Sequence, residues 1–247
     1  MIPTILRFEN VTKKFDAIVA LDGISFNVPE NKIVGLIGAN GAGKTTSIRH
    51  LIRYLKPDSG EILYRDKSIY SFSDTAFPIS YIPDSPIFFE ELTVMEHLTF
   101  IGSIYGTSNN TDTLIHIMEM QSHLDKVPST LSKGTKQKLM IMCALLREYE
   151  TLLADEPFIG LDPKQIKVLK ELLLEQKRMG RTVLLSTHLL DVIENICDYY
   201  IMIDQGRLLA EGDLDDIQNA GKCTSLEELY LFLSNSDNGG TQTANDA

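Results

Sequence analysis

The chain has 247 residues, a length that allows one large domain or two small ones with a substantial core. Hydrophobic residues make up 43% of it, as in globular proteins, and 23 Lys and Arg against 34 Asp and Glu give a net charge of −11. Because nucleic-acid binding needs clustered Lys and Arg to neutralise phosphates, and no basic run interrupts this balance, we expect no nucleic-acid partner.

The cysteines and the N-terminal residues bear on the compartment. Cys143, Cys197 and Cys223 are far apart and lie outside any C-x-x-C pattern, which argues against a disulfide framework and against a zinc site. The N-terminus lacks the charged and then apolar design of a signal peptide, and no apolar run approaches the ~20 residues that a membrane span needs. We therefore expect a cytoplasmic chain that reaches a membrane only through a partner.

The first predicted strands alternate apolar and polar residues. Residues 6–11 and 24–28 both show this period of two, which predicts half-buried strands, and Phe15 lies on the connection between them. The pattern predicts an antiparallel β layer at the N-terminal end of the fold.

The strongest motif follows the apolar run at residues 32–37. The sequence GANGAGKTT at residues 38–46 fits the pattern G-x-x-x-x-G-K-[ST], and apolar spacing over residues 47–55 predicts a helix after it. A strand, a glycine-rich turn and a helix N-terminus form a phosphate-binding loop, because backbone N–H groups and the helix dipole converge on one anion. The alternative is an ordinary glycine-rich turn, which the flanking strand and helix argue against.

The residue types in this loop suit a polyphosphate bound together with Mg²⁺. The glycines leave room for the backbone to turn its N–H groups inward, Lys44 would reach the β- and γ-phosphates, and Thr45 would place its hydroxyl on Mg²⁺. The predicted nucleotide-binding residues of the loop are Gly38, Asn40, Gly41, Ala42, Gly43, Lys44, Thr45 and Thr46.

The middle third of the chain has helical periodicity. Short strands are predicted at residues 61–64 and 80–82. From about residue 90 to 146 apolar residues recur at helical spacing, with one helix around residues 113–120, and Ser132 precedes another as an N-cap residue should. This stretch is predicted to be a helical insertion.

Strands and helices then alternate, which predicts a mainly parallel sheet. The remaining predicted elements are strands at 151–154 and 182–186, a helix at 164–179, a β-hairpin at 199–210 and a last helix at 226–233. One domain is therefore expected over residues 1–233, followed by a disordered polar tail at 234–247.

Polar residues end two of these strands. A parallel sheet would bring Asp155 and Glu156 to the edge where the phosphate loop lies, where Asp155 could hold Mg²⁺ and Glu156 could polarise the attacking water. His188 ends the next strand and could donate to the γ-phosphate. Without the loop, the two carboxylates could simply solvate a strand end, and a lone histidine is usually structural.

The chain, with these motifs in this order, resembles the nucleotide-binding subunit of ATP-binding cassette (ABC) transporters. Within this family it resembles the bacterial single-domain exporter ATPases. The resemblance covers about residues 5–215, and it implies an α/β fold: a P-loop NTPase core with a mainly parallel sheet, an N-terminal antiparallel β layer and a helical insertion subdomain. It rests on Phe15, GANGAGKTT (38–46), YIPDSP (81–86), LSKGTKQK (131–138), LLADEP (152–157), IGLD (159–162) and STH (186–188).

The resemblance implies a role for each matching residue. Phe15 would stack on adenine, although a lone Phe near a strand end is by default a core residue. Ser132 and Gly134 match the signature motif, which faces the γ-phosphate held by the other subunit, and Asp162 would link the two sites. His188 matches the switch histidine. Two chains would thus enclose two Mg·ATP, as a homodimer or with a paired cassette subunit.

The sequence departs from the family pattern at two places. Asp84 stands where the family usually has Gln; its carboxylate could still approach Mg²⁺, but it cannot donate a hydrogen bond. The signature is LSKGT instead of LSGGQ, with Lys133 and Thr135 replacing Gly and Gln. We hypothesise that Lys133 adds positive charge near the partner's nucleotide.

The sequence therefore predicts an ATPase that powers a separate integral membrane permease, on the inner face of the membrane, and functions in export. The floor of the permease groove is expected around residues 93–105. The alternative is a soluble ABC ATPase without a membrane partner, such as the iron–sulfur assembly type. A small-molecule kinase would leave LSKGT, IGLD and STH without a role.

Overall fold

The structure is a computed structural model that describes residues 3–74, 76–106, 110–221 and 225–238. It divides into two compact units. The first unit comprises Met1–Phe72 and Ser186–Ala247, and the second comprises Ser73–Leu185.

The described residues form ten strands. These are β1 (Thr4–Phe15), β2 (Ile18–Pro29), β3 (Ile33–Ile37), β4 (Ser59–Tyr64), β5 (Lys67–Ser68), β6 (Ile79–Ile82), β7 (Thr151–Asp155), β8 (Thr182–Thr187), β9 (Tyr199–Asp204) and β10 (Arg207–Gly212).

The described residues also form eight α-helices. These are α1 (Lys44–Leu51), α2 (Val94–Tyr105), α3 (Thr111–Ile117), α4 (Lys133–Leu145), α5 (Pro163–Arg178), α6 (Leu190–Ile193), α7 (Leu214–Gly221) and α8 (Leu226–Asn238). Short 3₁₀ turns occur at Ile69–Ser71, Gln121–His123 and Pro128–Thr130.

An antiparallel sheet of order β2-β1-β4-β5 opens the first unit, as the sequence predicted. Apolar and polar residues alternate along β1, so that Leu6 and Phe8 both point to the buried face of the sheet. Phe8 stacks on its cross-strand partner Phe26 with ring centroids 4.2 Å apart. Phe15 pairs with Ile18 where the hairpin closes. The sheet gives the first unit a buried aromatic centre.

Strands β3, β9 and β10 form the second layer of the first unit. β3 is buried at all five residues and pairs in parallel with β9, which continues antiparallel into β10. A hydrogen bond of 2.9 Å from the Asn27 N–H to Glu211 Oε2 ties β2 to β10. The apolar run before the phosphate loop is thus the fully buried strand that its composition predicted.

The second unit contains β6, β7 and β8 as neighbouring strands, with β6 and β7 parallel, together with α2 to α5. The predicted helical insertion corresponds to α2, α3 and α4 of this unit. Ser132 caps α4, because the Thr135 N–H donates to Ser132 Oγ at 3.2 Å. Ser80 Oγ donates to the Ala144 carbonyl at 2.6 Å and so fixes α4 beside β6.

The helices α1 and α3 have other boundaries than the sequence predicted. The helix after the phosphate loop ends at Leu51, not at residue 55, because Arg53 takes a left-handed conformation with φ 61°. Helix α3 starts two residues earlier than predicted and ends at Ile117, shortly before Glu119, whose φ is 54°.

The last helix is longer than predicted. Helix α8 continues to Asn238, so the polar tail cannot begin at residue 234; its remaining part, 239–247, lies outside the described residues. Two short helices were not predicted. Helix α6 has only four residues, too few for a periodic pattern, and α7 has only Leu214 and Ile217 as large apolar residues. Among the described residues, no helix has the length and apolar composition needed to span a bilayer.

Candidate active site

The phosphate loop lies in the first unit between β3 and α1, and its glycines are required by space and by backbone conformation. Gly43 caps α1 with φ 110°, and a Cβ there would lie 2.8 Å from the Ala20 carbonyl oxygen. A Cβ on Gly38 would lie 2.5 Å from the Ile203 carbonyl oxygen. The loop backbone therefore follows a path that side chains at these positions would block.

Lys44 is folded onto this loop. Its Nζ donates to the carbonyls of Gly38, at 2.7 Å, and Ala39, at 3.2 Å, and the residue is only 6% exposed. The first turn of α1, Lys44-Thr45-Thr46-Ser47, contains no acidic residue. A buried ammonium and a helix N-terminus without an acidic residue in its first turn, both at one loop, make a site that fits the phosphates of a nucleotide.

Two other segments of the first unit form hydrogen bonds with the backbone of the loop. The Gly206 N–H donates to the Ala42 carbonyl at 2.9 Å, and the Ala39 N–H donates to the hydroxyl of Tyr230 at 2.8 Å. Sequence reasoning missed Gly206 and Tyr230, since neither belongs to a motif. For Gly206 the turn Asp204-Gln205-Gly206 was a signal; for Tyr230 the sequence gives none.

Phe15 and His188 also belong to the first unit, and both are exposed. Phe15 is at the end of β1, and the Nζ of Lys13 lies 5.7 Å from its ring centroid. A ring with an open face can stack on a base, so its position is compatible with the predicted adenine contact.

His188 follows β8, where Thr187 Oγ1 accepts a 3.1 Å hydrogen bond from the Leu189 N–H and so fixes the turn. A cavity of about 240 Å³ adjoins this histidine, and one of its lining residues, Glu227, comes from α8. The switch role predicted for His188 stays a prediction.

The two predicted catalytic carboxylates lie in the second unit, at the end of the fully buried β7. Asp155 is fully buried, and Glu156 has φ 48°, an uncommon conformation for a residue other than glycine. Such backbone strain is typical of functional sites. It turns the chain sharply at the point where the sequence predicted the catalytic base.

A residue that sequence reasoning did not single out supports this turn. Gln137, buried in α4, donates through Nε2 to the Pro157 carbonyl at 3.2 Å. Gln137 belongs to the stretch LSKGTKQK, so the signature helix and the end of β7 are joined directly within the second unit. The signal available in sequence was only an amide on the apolar face of a predicted helix.

The signature residues stand at the N-terminus of α4. Ser132 and Lys133 are exposed, and a Cβ on Gly134 would lie 3.0 Å from the Gly160 carbonyl oxygen. Gly160 has φ 82°, and a Cβ on it would lie 3.2 Å from Lys133 Cγ and Cε, so the lysine stem runs over this glycine. The structure thus brings the signature and the IGLD stretch together.

Asp162 and Asp84 are both exposed residues of the second unit. The Asp162 carboxylate accepts from the Gln165 N–H at 2.8 Å, and its own N–H donates to Gln165 Oε1 at 3.3 Å, which makes a capping box for α5. Asp84 lies in the loop after β6. Asp162 therefore has a structural task, and the predicted roles of both at the nucleotide stay predictions.

Together, the α/β fold and the glycine loop with its buried lysine define a nucleotide-binding protein of the P-loop class. A family model described as ABC transporter matches residues 21–159, more than half of the chain. The chain belongs to this family: it is an ABC ATPase, the ATP-binding subunit of an ABC transporter, as the sequence predicted.

Named relatives agree with this assignment. The ABC-type transporter ATP-binding protein EcsA of Bacillus subtilis is 39% identical over 96% of this chain and 99% of its own length. The bacitracin transport ATP-binding protein BcrA of Bacillus licheniformis is 34% identical over 89% of this chain and 73% of its own length.

Solved structures show the same fold. An ATP-binding subunit of an ABC transporter superposes with a TM-score of 0.87 at 38% identity, covering 94% of this chain and all of that one. The ATP-binding cassette MJ1267, solved in its ADP conformation, has a TM-score of 0.75 at 27% identity and covers 92% of this chain and 98% of its own. The predicted fold class is confirmed.

Proposed function

We propose that this chain hydrolyses Mg·ATP between two cassettes and transmits the resulting motion to a separate integral membrane permease on the cytoplasmic face of the membrane. The observation that carries the permease step is a set of exposed apolar side chains around α2, in the predicted docking region.

The hydrolytic step is assigned to the motif residues of each unit. In the first, the loop N–H groups and Lys44 bind the β- and γ-phosphates, and His188 donates to the γ-phosphate. In the second, Glu156 accepts a proton from the attacking water. Thr45, Asp155 and Asp84 are the residues that would hold Mg²⁺, and the chemistry that the ion would supply is neutralisation of charge on the phosphates. Hard oxygen donors are what this ion prefers, so the residues fit it.

The need for a second cassette rests on the signature. Ser132 is exposed at the N-terminus of α4. The first turn of this helix contains Lys133 and has no acidic residue. A helix N-terminus of this kind attracts an anion, and the chain's own phosphate loop already has α1 for this purpose. We assign Ser132 and Gly134 to the nucleotide bound by the partner cassette, which is a second copy or a paired subunit.

The docking face lies on the second unit. Ile87 is 86% exposed and Phe89 56%, and Phe89 contacts Phe100 of α2 edge to face with centroids 5.5 Å apart. Ile104, one turn further along α2, is exposed as well. Neighbouring exposed apolar side chains mark a surface that a partner covers, and an apolar helix of the permease on its cytoplasmic side fits it.

Export is the direction that the relatives support. The relative BcrA is named for bacitracin transport, and a relative from Burkholderia lata, 30% identical over 95% of this chain and 83% of its own length, is named for Nod factor export. We infer that this chain also powers an exporter.

Co-purification from membranes tests the permease step. The native chain, tagged, should bring down a multi-spanning membrane protein, and Ile87→Asp should reduce its recovery at least severalfold while leaving ATPase turnover unchanged. Tyr54→Asp, an equally polar change at an exposed site of the first unit, is the matched control. Equal recovery with both variants would exclude this face as the docking surface, and failure to recover any membrane protein would contradict the permease role.

A further inference from the structure

Helix α8 reaches the phosphate loop of its own unit through a single side chain. The Tyr230 hydroxyl accepts the 2.8 Å hydrogen bond from the Ala39 N–H, and it donates to Asp204 Oδ1 at 3.3 Å. Asp204 ends β9, so the hydroxyl connects three segments: the loop, the sheet and the C-terminal helix. None of the motifs that carry the family resemblance includes this tyrosine.

The residue that Tyr230 holds is central to the loop. Ala39 uses its carbonyl to accept from Lys44 Nζ at 3.2 Å and from the Ala42 N–H at 3.1 Å. When the lysine turns to a phosphate, the Ala39 carbonyl loses one of these donors, whereas the bond at its N–H remains. Tyr230 can therefore keep the start of the loop in place while Lys44 moves.

A second observation places α8 beside the switch histidine as well. Glu227 precedes Tyr230 by three residues, so both lie on one face of the helix. Glu227 lines the cavity of about 240 Å³ that His188 also lines. One face of α8 thus meets the phosphate loop and the surroundings of His188, all within the first unit.

We propose that Tyr230 is a positioning residue for nucleotide binding, through which α8 sets the affinity of the phosphate loop for ATP. A loop held in its binding conformation loses less conformational freedom when the ligand arrives, and this raises affinity without adding a contact. By linkage, nucleotide binding must stabilise the docked position of α8 to the same extent. The inference rests on ATP binding by this loop and requires neither hydrolysis nor a permease.

Removing only the hydroxyl tests the proposal. In Tyr230→Phe the dissociation constant for ATP, measured at equilibrium with Mg²⁺, should rise about fivefold, the size expected for one hydrogen bond. The KM for ATP should rise by the same factor, with kcat within about twofold, because the tyrosine positions the loop and does not act on the reacting atoms.

Tyr70→Phe is the matched control. The Tyr70 hydroxyl also donates one hydrogen bond in the first unit, at 2.7 Å to the Leu55 carbonyl, but it is not bonded to the loop. Its loss should change thermal stability to a similar degree and leave ATP affinity unchanged. Equal ATP affinity in the native chain and Tyr230→Phe would overturn the proposal, and equal weakening in both variants would reduce Tyr230 to a general stabilising role.

Hydrogen exchange supplies a readout that a structural role would not move. ATP should slow amide exchange in residues 226–233 of the native chain, and this protection should be largely lost in Tyr230→Phe. Unchanged protection in the variant would contradict the coupling. If the native chain itself failed to bind ATP, the nucleotide-binding function would be wrong, which is a different result from a native chain that binds ATP as tightly as its variant.

Discussion

The ammonium of Lys44 donates a 2.7 Å hydrogen bond to the carbonyl of Gly38, the first residue of the same loop. The Lys44 side chain thus lies against the backbone of the phosphate loop, in a position that is almost completely buried. A charge in such a place is stable only with hydrogen-bond acceptors around it, and phosphate oxygens are stronger acceptors than carbonyls.

Lys44→Ala should therefore remove nucleotide retention. Loss of a hydrogen-bonding cation costs roughly 10- to 100-fold in affinity, so the dissociation constant for Mg·ATP should rise by at least that factor. Equilibrium binding of labelled ATP measures it, with Lys67→Ala, an exposed lysine of the same unit, as the control. Tight binding by Lys44→Ala would contradict the role given to this residue.

Glu156→Gln should separate binding from hydrolysis. The amide keeps the shape of the side chain but cannot accept the proton of the attacking water, so turnover should fall by about 10²- to 10⁴-fold. ATP should then accumulate in a closed pair of cassettes, which size-exclusion chromatography with and without Mg·ATP would show. Glu171→Gln, at an exposed position of α5, should hydrolyse normally and elute unchanged. Turnover near the native rate in Glu156→Gln would mean that another residue is the base.

Lys133→Ala tests the departure in the signature. The stem of the Lys133 side chain runs over Gly160, and the residue is exposed at the N-terminus of α4. This is where the partner's nucleotide is proposed to bind. Removing a charge at an exposed site is a modest change, so the KM for ATP should rise about two- to fivefold and the rise should shrink at high salt. Lys136→Ala, one turn further along α4, is the control. An unchanged KM would contradict the hypothesis that Lys133 adds positive charge near the partner's nucleotide.

Two glycines of the loop provide a matched pair for stability. Gly41 has φ 86° and Gly43 has φ 110°, so alanine at either site costs about 1–2 kcal/mol for the left-handed backbone. Only at Gly43 would the new Cβ overlap a neighbour, 2.8 Å from both the Ala20 carbonyl oxygen and Leu21 Cδ2, whereas nothing lies within 4 Å at Gly41. Overlap of this kind adds about 1–3 kcal/mol.

Denaturant unfolding should therefore rank Gly43→Ala clearly below Gly41→Ala in free energy of unfolding. Similar losses in the two variants would mean that the loop moves freely enough to accept the extra carbon, and the steric argument for Gly43 would fail.

The elements that sequence predicted best are those with a strong local pattern. Strand β3 was visible because an uninterrupted apolar run precedes glycines, and α4 because Ser132 stands before a periodic stretch. The end of α1 could not be predicted, because Arg53 takes the left-handed conformation that glycine usually signals in a sequence. Local pattern thus determines a helix boundary where a cap residue such as Ser132 marks it, and not where the chain turns at a residue such as Arg53.

The candidate site divides in the same way. Lys44, Asp155 and Glu156 could be found because their motifs place the chemistry within a few residues. Tyr230 lies 191 residues from its partner Ala39, and a contact over that distance follows from the tertiary fold alone. Gln137 resembles any amide on a helix until its carbonyl partner is known.

His50 makes stability depend on pH. It is fully buried in α1, where its Nδ1 donates to the Thr46 carbonyl at 2.7 Å, and burial, with a smaller contribution from Lys13, lowers its pKa below the ordinary 6.5. The native state therefore disfavours the second proton, and the unfolded chain binds it more readily. The stabilisation is complete above about pH 6.5 and is lost as the pH falls towards the lowered pKa.

The free energy of unfolding should consequently fall between pH 6.5 and pH 5.5, and it should fall less in His50→Asn. Asparagine can keep the donor to the Thr46 carbonyl but cannot take up a proton. Denaturant titrations at pH 7.5, 6.5 and 5.5 on both proteins measure the difference, and the comparison cancels the contribution of His123, whose pKa is also lowered by burial. Parallel losses of stability in the two proteins would show that His50 is not the titrating group.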